Sequence, residues 1–215
     1  MPVRDRLDLT QTLLSQLDGT YDTIFVLDNG SQDDTWRWLS QRPRKMQVEP
    51  VAAAGLGIYA MWNLGARLAR ERAATCDIAF LNNDIHVGPG FLGALRDGLR
   101  SADDLWAVSA NHRRHPLGGV QRSLGTFKSG GFAGFAFMAR GEIFDRVGFD
   151  ESFSWWYGDD DFIAQIQANG GRVGVVGPAT VDHIDGGSQT ARYDRERLAA
   201  IERDRRRMWS KWGHF

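Results

Sequence analysis

The chain has 215 residues, 42% hydrophobic and 25% charged, enough to bury a core without disulfides or a structural metal. Its formal charge of -1 excludes a general nucleic-acid binder, which carries a basic excess to neutralise phosphates. The single cysteine, Cys76, excludes an internal disulfide or thiolate zinc cluster and points to a reducing, cytoplasmic setting, and the sequence has neither a membrane-length apolar run nor the apolar core of a signal peptide.

In chain order, Thr23 to Leu27 (TIFVL) reads as a buried strand ending in the turn formers Asp28-Asn29-Gly30-Ser31. A helix with acids at its start is predicted from Asp33 to Gln41. After Gly55 and Gly57, the positions Ile58, Met61, Trp62, Gly65 and Leu68 share one helical face. DIAFL is a second buried strand, running into Asn82-Asn83-Asp84 before a helix from Gly90 to Leu99. Arg113 to Gly131, rich in Gly, Arg, His and Ser, reads as a long mobile loop. FAGFAFMAR is another strand, and RVGVVG and ATVDHI are two short ones. Arg192 to Lys211 carries eight basic and four acidic residues, with Leu198, Ile201, Met208 and Trp212 at near-helical spacing. Such a helix packs one face on its own domain; a basic amphipathic helix can also lie on an anionic membrane, so membrane contact is at most peripheral.

Strand, polar turn and helix in repetition predict βαβ units: an α/β fold, Rossmann-like, with a mostly parallel central sheet flanked by helices in a single domain over residues 1–215. Ligands bind at the carboxyl ends of such strands, so Asp28-Asn29 and Asn82-Asn83-Asp84 face one crevice. A carboxylate at Asp28 suits a base or ribose, though Asp28 or Asn29 bonding its own backbone in an Asx-turn accounts for it equally. Asp84 beside Asn82 offers hard oxygens to a divalent cation, and again a plain turn is the alternative. His183, in VDHIDGGSQ, can complete a metal shell, and Gly186, Gly187 and Ser188 allow close backbone approach to phosphate; otherwise it is an ordinary surface or core histidine.

WWYGDDDF, Trp155 to Phe162, sets three consecutive carboxylates behind two indoles and a glycine. Adjacent like charges repel, so a cation or a proton to be moved explains the cluster; a helix N-terminus with acids in its first turn explains it too. Trp155 and Trp156 suit stacking on sugar C–H faces, or burial.

These segments together resemble the nucleotide-sugar glycosyltransferases of family 2, which have the GT-A fold. The resemblance runs in order through RDRLDLTQTLLSQL, VLDNGSQDDT, GLGIYAMWNLGARLA, LNNDIHVGPGFL, GGFAGFAFMARGEIFDRVGFDESFSWWYGDDDF, VDHIDGGS and WSKWG. It implies a nucleotide-sugar-binding half over residues 1–100, an acceptor half over 101–190, and a C-terminal helix and tail over 191–215. It implies Asp28, Asn29, Asn63, Asn83 and Ser188 around the nucleotide, Asp84 and His183 as ligands of Mn2+ or Mg2+, and an inverting transfer of a hexosyl or deoxyhexosyl group. Asp159 aligns with the general base and Asp160 is next, while Trp155, Trp156 and Asp161 fall to the substrate sugars. The implied partners are a nucleoside-diphosphate sugar donor and a glycan, lipid-linked or protein acceptor. Three features depart from the pattern: the first strand is missing or a stub ahead of Asp5, Asn82 stands where many relatives carry an acid, and Gly158 stands where an acid often precedes the base. A nucleotidyltransferase and a non-catalytic carbohydrate-binding relative are the alternatives.

Overall fold

Side chains alternate along the strands between two apolar layers, and this alternation organises the chain. The computed structural model describes residues 1–17, 19, 21–41, 47–112, 118–123, 131–184 and 195–213. Strands β1 (Pro2–Val3), β2 (Ile24–Asp28) and β3 (Val48–Ala52) form a parallel sheet in the order β1-β2-β3. Strands β4 (Asp77–Leu81), β5 (Ile85–Val87), β6 (Leu105–Asn111), β7 (Val120–Ser123), β8 (Ala136–Arg140) and β9 (Arg172–His183) form a second, in the order β4-β8-β6-β9-β5, with β7 also on β9. Here β4, β6 and β9 run one way, and β8 lies reversed between β4 and β6.

The helices are α1 (Leu7–Gln16), α2 (Thr35–Gln41), α3 (Ile58–Arg72), α4 (Phe91–Leu99), α5 (Gly158–Ala168) and α6 (Arg195–Trp212). Met138 and Ala136 of β8 join Leu13, Leu14, Leu95 and Leu99 of α1 and α4 in one layer. Their neighbours Phe137 and Ala139 join Tyr59 and Trp62 of α3, Phe162 and Ile166 of α5 and Met208 of α6 in the other. Full burial of each large side chain such as Phe137 contributes about 1.5–3 kcal/mol. The expected α/β class is therefore the observed one.

The structure differs from the sequence reading at several places. The first strand is a stub, with Pro2 opposite Leu27 and Val3 opposite Asp28. FAGFAFMAR is extended only from Ala136, because the Ala136 N–H donates to the Ala133 carbonyl and closes a turn. The two short strands at 172–184 are one twelve-residue strand. Pro178, which has no N–H, made them look separate; the ladder instead jumps from Ala110↔Val176 to Asn111↔Thr180 and bulges past it. Within Arg113 to Gly131, Val120–Ser123 forms β7, and residues 113–117 and 124–130 lie outside the described residues. On α6, Met208 is wholly buried but Leu198 is exposed, since Ala200, Asp204 and Met208 carry the packed face. Among the described residues no helix is long and apolar enough to cross a membrane.

Candidate active site

Asp28 ends β2 and is almost fully buried. Its Oδ1 accepts the Ser31 N–H at 2.8 Å, while the buried Oδ2 has no hydrogen-bond partner among the described residues. Asn29 clips the adjoining turn: its Oδ1 accepts the Gly55 N–H at 2.9 Å and its Nδ2 donates to the Leu56 carbonyl at 3.1 Å. Gly30 allows the turn, with φ of 71° and only 3.3 Å between a built Cβ and Ala54 Cβ. The Asp5 N–H donates to Ser31 Oγ at 2.8 Å, which lays the loop after β1 against the end of β2. Arg6, in the RDRLDLTQTLLSQL segment, is paired with Asp8 by two hydrogen bonds at 3.0 and 2.8 Å, and the Asp84 charge also acts on it.

At the end of β4, Asn83 is buried and its Nδ2 donates to Thr10 Oγ1 at 3.1 Å, tying α1 to the strand. Asn82 Oδ1 is buried with no hydrogen-bond partner among the described residues. Asp84 is 1% exposed, and its Oδ1 lies 3.3 Å from His183 Nε2. Ladder register brings them together: Ile85 of β5 stands opposite His183 of β9, and the Ile184 N–H donates to the Asp84 carbonyl at 2.9 Å. Phe135 stacks on the His183 ring, centroids 4.4 Å apart and planes 22° apart.

The Asp84–His183 spacing fits a divalent cation. Two ligands held about 2.1 Å from one ion stand about 3.0–3.4 Å apart, and a carboxylate with an imidazole suits Mn2+ better than Mg2+, which prefers an all-oxygen shell. No third His, Cys, Asp or Glu joins them among the described residues, so further ligands would come from a bound diphosphate. Ser188, expected at a phosphate, lies outside the described residues.

The acidic cluster opens α5, after Tyr157 in the left-handed conformation with φ of 69°. The Gly158 N–H donates to the Tyr59 hydroxyl at 3.1 Å. A Cβ at Gly158 would fall 2.2 Å from the Tyr59 ring, which explains the glycine at this departure from the family pattern. Burial, followed by the neighbouring Asp160 carboxylate, pushes Asp159 up to about 7. Its carboxylate lies over Gly134: a Cβ there would meet Asp159 Oδ2 at 2.0 Å. Gly134 and Phe135 are consecutive, so Asp159 meets the residue next to the one whose ring stacks on His183. That link, carried by a glycine in an apolar segment, has no sequence signal.

The three acids part company as side chains about 100° apart on a helix must. Asp161 is wholly buried and accepts from Trp212 Nε1 at 2.7 Å, Lys211 Nζ at 3.0 Å and Gln165 Nε2 at 2.7 Å. Its oxygens, expected on a sugar, are engaged by protein donors. Asn63, expected at the nucleotide, likewise joins α3 to the segment before the cluster: Nδ2 donates to the Phe149 carbonyl at 2.8 Å and to Glu151 Oε1 at 2.9 Å, and Oδ1 accepts the Phe149 N–H. Trp155 and Trp156 are 49% and 44% exposed, and the buried Arg197 guanidinium lies over the Trp155 ring, 4.8 Å from its centroid. Asp204 of α6, nearly fully buried, sets their backbone by accepting the N–H groups of Ser154, Trp155 and Trp156 at 3.0, 2.8 and 3.2 Å.

No family model matches the sequence, and no curated protein matches it. Solved structures do match in shape. The crystal structure of GalNAc-T7 with UDP, GalNAc and Mn2+ is similar at TM-score 0.66 and 13% identity, over 89% of this chain and 44% of that one. The crystal structure of S. aureus TarS 1-349 is similar at TM-score 0.64 and 14% identity, over 86% of this chain and 59% of that one, and the same protein in complex with UDP matches at TM-score 0.64. The chain thus spans roughly half the length of these structures. Its fold is the GT-A-like α/β fold of these glycosyltransferase structures.

Proposed function

We propose that the protein is an inverting glycosyltransferase that moves a sugar from a nucleoside-diphosphate donor to a hydroxyl acceptor, with Asp159 as the general base. One observation carries this reading: Asp159, pushed up to about 7 by burial, sits over Gly134, the chain neighbour of Phe135, whose ring stacks on His183, which lies 3.3 Å from Asp84. A base works best with its pKa near the ambient pH, and burial brings Asp159 there. The UDP found in two similar structures makes a uridine-diphosphate sugar the first donor to test.

In this reading Asp28 Oδ2 accepts a hydrogen bond from the ribose or base at the end of β2. Asp84 and His183 would hold a divalent cation, whose chemistry when bound is to neutralise the leaving diphosphate. Trp155 and Trp156 present an acceptor sugar by its C–H face, and Asp159 takes the acceptor hydroxyl proton as the oxygen approaches the anomeric carbon. Asp160 makes the ionised Asp159 more basic, because two adjacent carboxylates resist ionising together, so Asp159 takes the acceptor proton more readily.

The test is a pair of measurements on purified protein with candidate nucleotide sugars and Mn2+. Asp159→Asn keeps donor affinity within about twofold and loses at least about a hundredfold in transfer rate. Full transfer activity in Asp159→Asn would remove the base from this assignment.

A further inference from the structure

Charge in this chain is segregated. Helix α6 carries seven basic and three acidic residues, a formal +4 in a chain whose total is -1, which leaves -5 for the remainder. Ala200, Asp204 and Met208 turn inward, while Arg195, Arg203, Arg206 and Arg207 are exposed and Arg205 is half-exposed. The acids on the outer side are Glu196 and Glu202, and Glu202 is gripped by Arg205 at 2.8 Å and Arg206 at 2.9 Å.

Apolar side chains break the surface in the same region. Of the large exposed ones among the described residues, Leu198 and Trp209 lie on α6, and Trp155 and Trp156 on the loop that Asp204 of α6 holds. Leu198 is 52% exposed and Trp209 54%. About three helical turns and roughly 16 Å apart, they share one side of the helix, with Glu202 and Arg205 between them. The Arg205 guanidinium lies 4.7 Å from the Trp209 ring centroid, so cation and indole stand together at the surface.

We propose that the outer face of α6 lies on an anionic lipid surface, with its arginines among the headgroups and Leu198 and Trp209 dipped into the apolar boundary. Charge and side-chain type select this occupant. An indole beside a guanidinium suits the headgroup level, where one meets an apolar medium and the other meets phosphate. A nucleic acid would satisfy the arginines but offers Leu198 no hydrocarbon. A second copy of the chain would set this cationic face against its own like, which repels. Asp204, on the inner side of the same helix, fixes the backbone of Ser154, Trp155 and Trp156. Docking α6 therefore brings that loop within about one helix diameter, roughly 10 Å, of the lipid surface. The docking itself does not rest on the proposed activity.

The test is sedimentation of the purified 215-residue chain with vesicles, without any nucleotide sugar. The chain is expected to bind phosphatidylcholine vesicles containing about 30% phosphatidylglycerol at least about tenfold more tightly than phosphatidylcholine alone, and to be released by about 0.5 M NaCl. The triple variant Arg195→Gln, Arg203→Gln, Arg206→Gln should lose at least about tenfold in that affinity while its Tm stays within about 2 °C, which separates lost docking from lost fold. Brominated lipid should quench the tryptophan emission of the bound chain, and less so in Trp209→Ser. No binding to the anionic vesicles, equal binding to both kinds, unchanged affinity in the triple variant, or unchanged quenching in Trp209→Ser overturns the proposal. The lipid preference of the parent chain decides by itself should either variant fold poorly.

Discussion

The Asp159 carboxylate rests on the Cα of Gly134, so close that a Cβ at that position would stand 2.0 Å from Oδ2. Nothing larger than glycine is compatible with the acid where it is. Gly134→Ala is therefore expected to displace the carboxylate while leaving the Asp84–His183 pair, formed by β5 and β9, in place. The transfer rate falls about a hundredfold with donor affinity nearly unchanged. Steady-state kinetics beside calorimetric titration of the donor nucleotide separate the two effects, and a parallel loss of both would count against the geometry.

Asp159 also leaves a signature in stability. Its folded pKa of about 7 stands above the ordinary value of 3.8, so between those pH values the folded chain holds a proton that the unfolded chain has lost. Stability from this group is present below about pH 4 and is lost as pH rises to about 7. Asp159→Asn, which cannot ionise, should melt higher than the parent at pH 8 and level with it at pH 4. Thermal melts of both proteins across that range check this, and a constant difference at all pH values would contradict it. With Asp159 as the proposed base, transfer activity is expected to move the other way, rising with pH through about 7 as Asp159 loses its proton.

Asp84→Ala and His183→Ala each remove one of the two groups 3.3 Å apart. In the presence of Mn2+ either should weaken UDP binding by about 10–100-fold. Without metal the variants and the parent should bind UDP alike. Titrations with and without Mn2+ decide, and a loss independent of the metal would assign the pair a purely structural part.

Asp204→Ala leaves three backbone N–H groups of Ser154, Trp155 and Trp156 without their acceptor. Deleting a buried, charge-assisted acceptor of this kind costs about 2–4 kcal/mol, measurable as a lower urea midpoint. The indole fluorescence should shift to the red as the loop loosens, and KM for the acceptor should rise more than KM for the donor. Asp204→Asn, which keeps one oxygen acceptor, recovers part of both.

Much of this architecture was legible locally. DIAFL is the whole of β4, and the polar clusters after it and after β2 do stand at strand ends, because apolar runs and turn formers act within a few residues. Pairings over long separations were not legible. Asp204 meets Trp155 across 49 residues and Asp161 meets Trp212 across 51, so their carboxylates looked like solvated helix charge and like part of an acidic triad. Gly134 is silent in sequence for another reason: its contribution is the absence of a side chain. Leu198 misled in the opposite sense, since helical spacing gives a face but not how far along the helix that face stays covered.

The Asp204 contact has a consequence for how acceptor preference can change. Because one carboxylate fixes the backbone of Ser154, Trp155 and Trp156, the pose of the loop does not depend on which rings it displays. Trp156 is thus a tile on a fixed mount, whereas Trp155 also holds the Arg197 guanidinium over its ring. On the proposed reading, exchanging Trp156 for another aromatic or a polar residue would retune the acceptor surface without rebuilding the start of α5, and selectivity would drift while Asp159 keeps its position.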